Sequence, residues 1–176
     1  MSTDRYAELK PGAVVAALRS LPKRFRGVLA ADPTRDPDEL ARTSTDDGRS
    51  VRDVIASTGD ALELIADALG KVLVLDEAPV PAAVTGHAVE VTADAGIPLQ
   101  ELLDRLEQRS NAAADHVERA PGADLLRTGV APGGARVSAI DIARQAVRVS
   151  AENLLVVQRA LRAAGVDLDD SANGDG

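Results

Sequence analysis

Apolar residues recur with the period of an α-helix in four stretches of the chain, which predicts four long helices. The first stretch, residues 13–30, reads AVVAALRSLPKRFRGVLA. Pro22 lies inside it and lacks a backbone N–H, so we expect it to kink or divide this helix. The second stretch, residues 50–74, opens with S-V-R-D, in which Ser50 and Asp53 are the two partners of a capping box.

The third and fourth stretches also carry signals for helix ends. Pro98 suits the first turn of a helix over residues 98–119, and S-A-I-D caps a fourth helix that begins near Ser138 and stops at Gly165. The alternation that a multi-stranded sheet needs is missing, although HAVEV at 87–91 could form a short extended piece. We therefore predict an all-α four-helix bundle with a long connection between helices two and three.

The length of the chain favours a single domain. Its 176 residues lie within the usual size range and can bury a sufficient core. We expect residues 1–165 to form one helical bundle domain. Residues 166–176 are polar, acidic and rich in small residues, which predicts a mobile acidic tail.

Composition excludes several classes of function. The chain has no cysteine, which rules out disulfides, thiolate metal sites and a cysteine nucleophile. Its 28 acidic and 20 basic side chains give a net charge of -8, which opposes binding to nucleic acid. One tyrosine, one phenylalanine and no tryptophan leave almost no side chains for base stacking or aromatic cages.

The hydropathy pattern bears on location. No apolar run approaches the ~20 residues that a membrane-spanning helix needs. The start, MSTDRYAELK, lacks the order of basic and apolar residues of a signal peptide. We expect a cytoplasmic protein without a membrane partner.

The predicted fourth helix is apolar around most of its circumference. At about 100° per residue, its charged side chains gather on one narrow arc. They are Asp141, Arg144, Arg148, Glu152, Arg159 and Arg162. The wide apolar arc predicts burial on two sides, with the helix central in the bundle or at a subunit interface, and from it we predict a homodimer.

Two polar residues, Ser150 and Asn153, lie within this apolar arc. They could face a ligand cavity. The structural interpretation, which we favour, is that Ser150 bonds to a carbonyl one turn earlier and Asn153 to a neighbouring helix, because buried polar groups are normally hydrogen-bonded.

Three strings, at 49–62, 127–144 and 151–161, carry a family resemblance. They resemble the DinB-like superfamily, which includes metal-dependent thiol transferases and mycothiol-dependent maleylpyruvate isomerases. RSVRDVIASTGDAL at 49–62 is similar to the family's second helix. RTGVAPGGARVSAIDIAR at 127–144 is similar to its glycine-containing loop and the start of its last helix, and AENLLVVQRAL at 151–161 to the end of that helix. The resemblance implies a four-helix bundle in which three histidines hold a divalent metal such as zinc or nickel.

The residues at the implied metal positions differ from the family's. One ligand comes from the second helix, where this chain has Ser57, and two come from the last helix, one turn apart. The candidate pairs on the last helix are Ser150 with Leu154, which periodicity favours, Arg148 with Glu152, and Ala151 with Leu155. Because serine and leucine cannot replace imidazole as ligands for these metals, we expect neither metal nor other cofactor.

The two histidines offer another arrangement. His87 lies in the long connection with Glu90 and Asp94 nearby, which would suit a carboxylate-histidine metal site or an exposed loop histidine. His116 falls beside the apolar stripe of the third helix and is most simply solvated. No G-x-S-x-G motif surrounds Ser57 or Ser150, so nucleophilic catalysis has little support.

Three functional hypotheses follow. The first is a non-catalytic module that binds a small apolar or thiol ligand, or a protein, at a cavity lined by Ser57, Ser150, Asn153 and Leu154. The second is a mycothiol-linked, metal-dependent transferase or isomerase with a shifted metal site. The third is a purely structural helical partner. If the favoured pair is the right one, replacing Ser57, Ser150 and Leu154 with histidine should create a zinc site.

Overall fold

A computed structural model of the chain describes residues 5–86 and 96–168. Its long helices are α1 (Pro11–Leu29), α3 (Val51–Val74), α4 (Leu99–Arg119) and α5 (Ala139–Ala163), and a short α2 (Pro37–Leu40) lies between the first two. The predicted all-α four-helix bundle is confirmed. The possible extended piece at 87–91 falls outside the described residues.

The four long helices pack around an aliphatic core. α3 and α1 each pack against both α4 and α5, so the helices form a closed ring in the order α1, α4, α3, α5. The predicted capping box at the start of α3 is present: the backbone N–H of Asp53 donates to Ser50 Oγ at 3.1 Å, and that of Ser50 donates to Asp53 Oδ2 at 3.0 Å. These bonds fix where α3 begins, and thereby the position of its cleft-facing residues.

The first helix is continuous, so the prediction that Pro22 divides it is wrong. Pro22 lies buried inside α1. A proline leaves the carbonyl four residues earlier without its helical donor, and here that carbonyl belongs to Leu18. Ser110 of α4 supplies the missing donor, with its Oγ 2.6 Å from Leu18 O. Because both residues are fully buried, the hydroxyl replaces the lost bond where water cannot reach.

We expect Ser110→Ala to lower the free energy of unfolding by about 1–3 kcal/mol, because it leaves the buried Leu18 carbonyl without a partner. Urea denaturation measures the change. In a Pro22→Ala background the restored backbone N–H of residue 22 can bond Leu18 O, so the same substitution should have a smaller effect. Ser20→Ala, at an exposed serine of α1, is the control. Equal losses in both backgrounds would show that Ser110 does not compensate for the proline.

A short hairpin occupies the segment that resembles the family's glycine-containing loop. β1 (Thr128–Val130) pairs antiparallel with β2 (Arg136–Ser138), with Gly129 opposite Val137. A Cβ at Gly129 would lie 2.7 Å from both Ala78 O and Val72 Cγ2. Glycine is therefore needed where this hairpin passes close to the end of α3.

The wide apolar arc of α5 is covered within a single chain. α3 packs against one side of this helix and α1 against another, and its buried apolar residues extend from Ala139 to Leu161. The predicted burial of this helix on two sides is present, with α3 and α1 as its neighbours. The homodimer stays a prediction, which sedimentation at micromolar concentration tests.

The chain remains packed just beyond α5. Val166 and Leu168 lie in the segment predicted to be a tail, yet both are buried against the core. Residues 169–176 lie outside the described residues. Within the two described ranges, no helix is both long and apolar enough to cross a membrane.

Candidate functional site

A cleft of about 360 Å³ opens between α3 and α5. Arg49, in the turn before α3, and Ser57 of α3 form one wall. The other wall is one face of α5, and a 3-10 helix, Ala82–Thr85, contributes Ala83 at the edge. The polar side chains that line the cleft are Arg49, Ser57, Gln145, Arg148, Glu152 and Asn153.

The cleft decides which residues of α5 share a site with Ser57. Arg148 and Glu152, one of the three candidate pairs, line it together with Ser57. Ser150 and Leu154, the favoured pair, do not. At about 100° per residue, position 150 lies on nearly the opposite side of the helix from position 148, so the two cannot face the same cleft.

The favoured pair has other surroundings. Ser150 is buried and its Oγ donates to Ala146 O at 2.9 Å. Leu154 is buried and lines a different pocket, between α1 and α5. Ala151 and Leu155, the third candidate pair, line that same second pocket. Of the three registers left open by the sequence, only Arg148 with Glu152 lines the same cleft as Ser57.

Asn153 links the two walls of the cleft. Its Nδ2 donates to Thr58 Oγ1 of α3 at 2.9 Å, and that hydroxyl donates in turn to Val54 O at 2.6 Å. The structural interpretation of Ser150 and Asn153 is confirmed, since each bonds as predicted. Asn153 also lines the cleft, so it serves both the packing of α3 on α5 and the polar surface.

Ser57 is held in place rather than activated. Its Oγ donates to Val54 O at 3.1 Å and accepts from Arg49 Nη1 at 3.4 Å. Arg49 is anchored by Asp47, whose Oδ2 lies 2.7 Å from its Nη2. Hydrogen bonds from the Arg49 side chain, and then from Thr45, hold the pKa of the Asp47 carboxyl well below its usual range. This carboxylate therefore stays ionised and keeps Arg49 at the rim of the cleft.

The cleft residues that the structure describes do not fit a divalent metal. The resemblance implies three metal ligands, one from α3 and two from α5. In the register whose positions all line the cleft, the residues are Ser57, Arg148 and Glu152. Only one of these is an anionic ligand, and a guanidinium has no lone pair to offer a metal. Among the residues that the structure describes, no group of three or more His, Asp or Glu side chains is placed to hold a metal.

The structure describes one of the two histidines, His116. His87, Glu90 and Asp94 lie outside the described residues. His116 is half-buried on α4, and its ring packs over Gly70 of α3, where a Cβ would come within 3.0 Å of the imidazole. This histidine is a packing residue between α3 and α4 rather than a solvated one.

Two further cleft residues, Arg49 and Gln145, were not among the site residues chosen from the sequence. A signal for Gln145 exists: positions 145, 148 and 152 are polar at helical spacing, so they share one face of α5. Arg49 carries no such signal, because the turn before α3 has no periodicity.

Comparison with known proteins shows a likeness of fold. No protein-family model matches the chain, and a search of curated proteins gives no significant match. Among solved structures, YfiT from Bacillus subtilis, described as "a probable metal-dependent hydrolase with an unusual four-helix bundle topology", matches with a TM-score of 0.72. The match covers 95% of this chain and 94% of YfiT at 14% sequence identity. It agrees with the DinB-like resemblance at the level of the fold, and over nearly its whole length the chain has the four-helix-bundle fold of YfiT.

Proposed function

We propose that this chain is a non-catalytic binding protein whose cleft between α3 and α5 holds a small polar molecule with a carboxylate and an ammonium group. The observation that carries the proposal is the convergence of Ser57, Arg148 and Glu152 on one cleft. These positions are one of the three registers in which the DinB-like resemblance could place a metal triad. Here they carry a hydroxyl, a guanidinium and a carboxylate.

The charges of the cleft suit a zwitterion. Arg148 offers a planar donor group for a carboxylate, Arg49 adds positive charge at the rim, and Glu152 offers an acceptor for an ammonium group. The amides of Gln145 and Asn153 add neutral donors and acceptors. An apolar or thiol ligand, the class suggested by the sequence, would find few matching groups among these side chains.

The same contacts argue against catalysis in this cleft. The Ser57 hydroxyl bonds a main-chain carbonyl and a guanidinium, and neither can act as a base toward it. Metal-dependent hydrolysis, as described for YfiT, and thiol transfer or isomerisation would each need ligands that these positions lack. Measuring zinc and nickel in protein purified without chelator separates the proposals: stoichiometric metal would overturn the non-catalytic one.

We expect the cleft to bind L-valine about tenfold more tightly than isovalerate or isobutylamine, which lack its ammonium or its carboxylate. One charge-assisted hydrogen bond contributes about 1.5 kcal/mol or more, which corresponds to about tenfold in affinity. NMR titration measures the three affinities. Isovalerate binding as tightly as valine would contradict the role of Glu152.

Arg148→Gln should weaken valine binding about tenfold, because it removes the guanidinium partner of the carboxylate. Arg159→Gln is the matched control, since Arg159 is exposed on the same helix and does not line the cleft. If valine binding is undetectable in the wild type and in both variants, and one protein co-purifies stoichiometrically with the chain, the structural-partner hypothesis is the better one.

A further inference from the structure

A second pocket, of about 450 Å³, lies between α1 and α5 and is partly covered by residues 5–9. Its walls are mostly aliphatic. Leu21 of α1 faces Val147, Ala151, Leu154 and Leu155 of α5 across the pocket. The volume lies within the range of small-molecule sites, and the long apolar wall suits an alkyl chain.

Among the described residues, the charged groups that line this pocket are all basic. They are Arg5 and Arg24, although the chain as a whole carries a net charge of -8. The half-buried Arg24 comes from the middle of α1, one turn from Leu21. A ligand with an anionic group would therefore meet a guanidinium beside the apolar wall.

A buried amide lies at the same place. Gln158 of α5 is 3% exposed and lines the pocket together with Arg24. Within residues 5–86 and 96–168, its Oε1 has no hydrogen-bond partner. Buried polar groups are nearly always paired, and in the ligand-free protein this oxygen leaves an acceptor for a bound molecule.

The same two side chains extend the site. Arg24 and Gln158 also line an adjoining hollow of about 270 Å³, together with Val28, Leu168 and the carboxylate of Asp167. Arg24 and Gln158 thus place polar groups where the pocket and the adjoining hollow meet. A ligand with its polar groups close together at one end of an alkyl chain matches this distribution.

We propose that the pocket between α1 and α5 binds a medium-chain aliphatic 3-hydroxycarboxylate. The alkyl chain lies along Leu21, Val147, Ala151 and Leu155. The carboxylate pairs with Arg24, and the hydroxyl donates to the Oε1 of Gln158. Each of the three features of the pocket thereby has its partner in one molecule.

The chain supplies its own reporter for this site. Tyr6 lines the pocket and is the only tyrosine, and there is no tryptophan, so ultraviolet fluorescence reports on Tyr6 directly. We expect 3-hydroxyoctanoate to change this fluorescence saturably, and octanoate and octane-1,3-diol to bind about tenfold more weakly. A diol that binds as tightly as the hydroxy acid, or no saturable change with any of the three, would overturn the proposal.

Variants test each contact separately. Arg24→Gln should weaken both carboxylates about tenfold and leave the diol unchanged, whereas Arg159→Gln, at an exposed arginine outside the pocket, should alter none. Ala151→Leu should weaken all three ligands by filling the space for the chain. Equal effects of Arg24→Gln on the carboxylates and the diol would contradict the assigned ion pair.

Gln158→Leu distinguishes a binding role from a structural one. If the amide serves the ligand, its removal should abolish the preference for 3-hydroxyoctanoate over octanoate. It should also raise the Tm of the ligand-free protein, because an unpaired buried oxygen is lost. A lowered Tm with the preference intact would show that Gln158 serves the fold, and would overturn this part of the proposal.

Discussion

The triple replacement Ser57→His, Arg148→His and Glu152→His should give this bundle a zinc site. The three positions line one cleft, and the two on α5 are one turn apart on the same face. Three imidazoles and one open position are a common ligand set for zinc, with nitrogen distances of about 2.0–2.1 Å. Isothermal titration calorimetry measures the affinity, and X-ray absorption counts the nitrogen ligands.

A matched control keeps the number of histidines and the spacing on α5. Ser57→His with Arg159→His and Ala163→His places the helical pair on exposed positions away from the cleft. This control should bind zinc at least ~10–100-fold more weakly than the cleft triple, since even an outer-shell partner contributes that much. Equal affinities would show that Ser57 does not meet positions 148 and 152.

Helical periodicity alone could not select this register. Ser150 stood out in the sequence because it is polar within an apolar arc, and that arc is buried on two sides. Its hydroxyl satisfies a carbonyl of its own helix instead of facing the cleft. Arg148 and Glu152 belong to the charged arc of α5, and a polar cleft and open solvent give the same pattern of charges along a helix. Only the packing of α5 against α3 tells them apart.

The fold was more predictable than the site. The capping residues Ser50 and Ser138 and the apolar stripes located the long helices, since these signals act within a few residues of the chain. α1 continues through Pro22, and the donor that replaces the missing N–H comes from Ser110, which is distant in sequence and which local rules could not supply. The β1–β2 hairpin was missed because its strands are too short to show alternation.

We expect Leu62→Ala to lower the free energy of unfolding by about 2–5 kcal/mol, among the largest effects of a single substitution in this chain. Leu62 is 1% exposed in the middle of α3, the helix that packs against both α4 and α5. Truncation removes buried apolar surface and leaves a cavity that neighbouring helices, fixed by their own contacts, close only partly. Urea denaturation followed by circular dichroism gives the change.

Leu64→Ala provides the control for this prediction, because the same side chain on the same helix is 41% exposed there. Helix propensity changes equally in both variants, so the difference between them isolates burial. We expect the loss at Leu64 to stay below about 1 kcal/mol, as for most surface substitutions. Similar losses at the two positions would mean that α3 is rotated about its axis from the orientation described. Ser57 would then turn away from α5, so this measurement also tests the cleft that carries the proposed function.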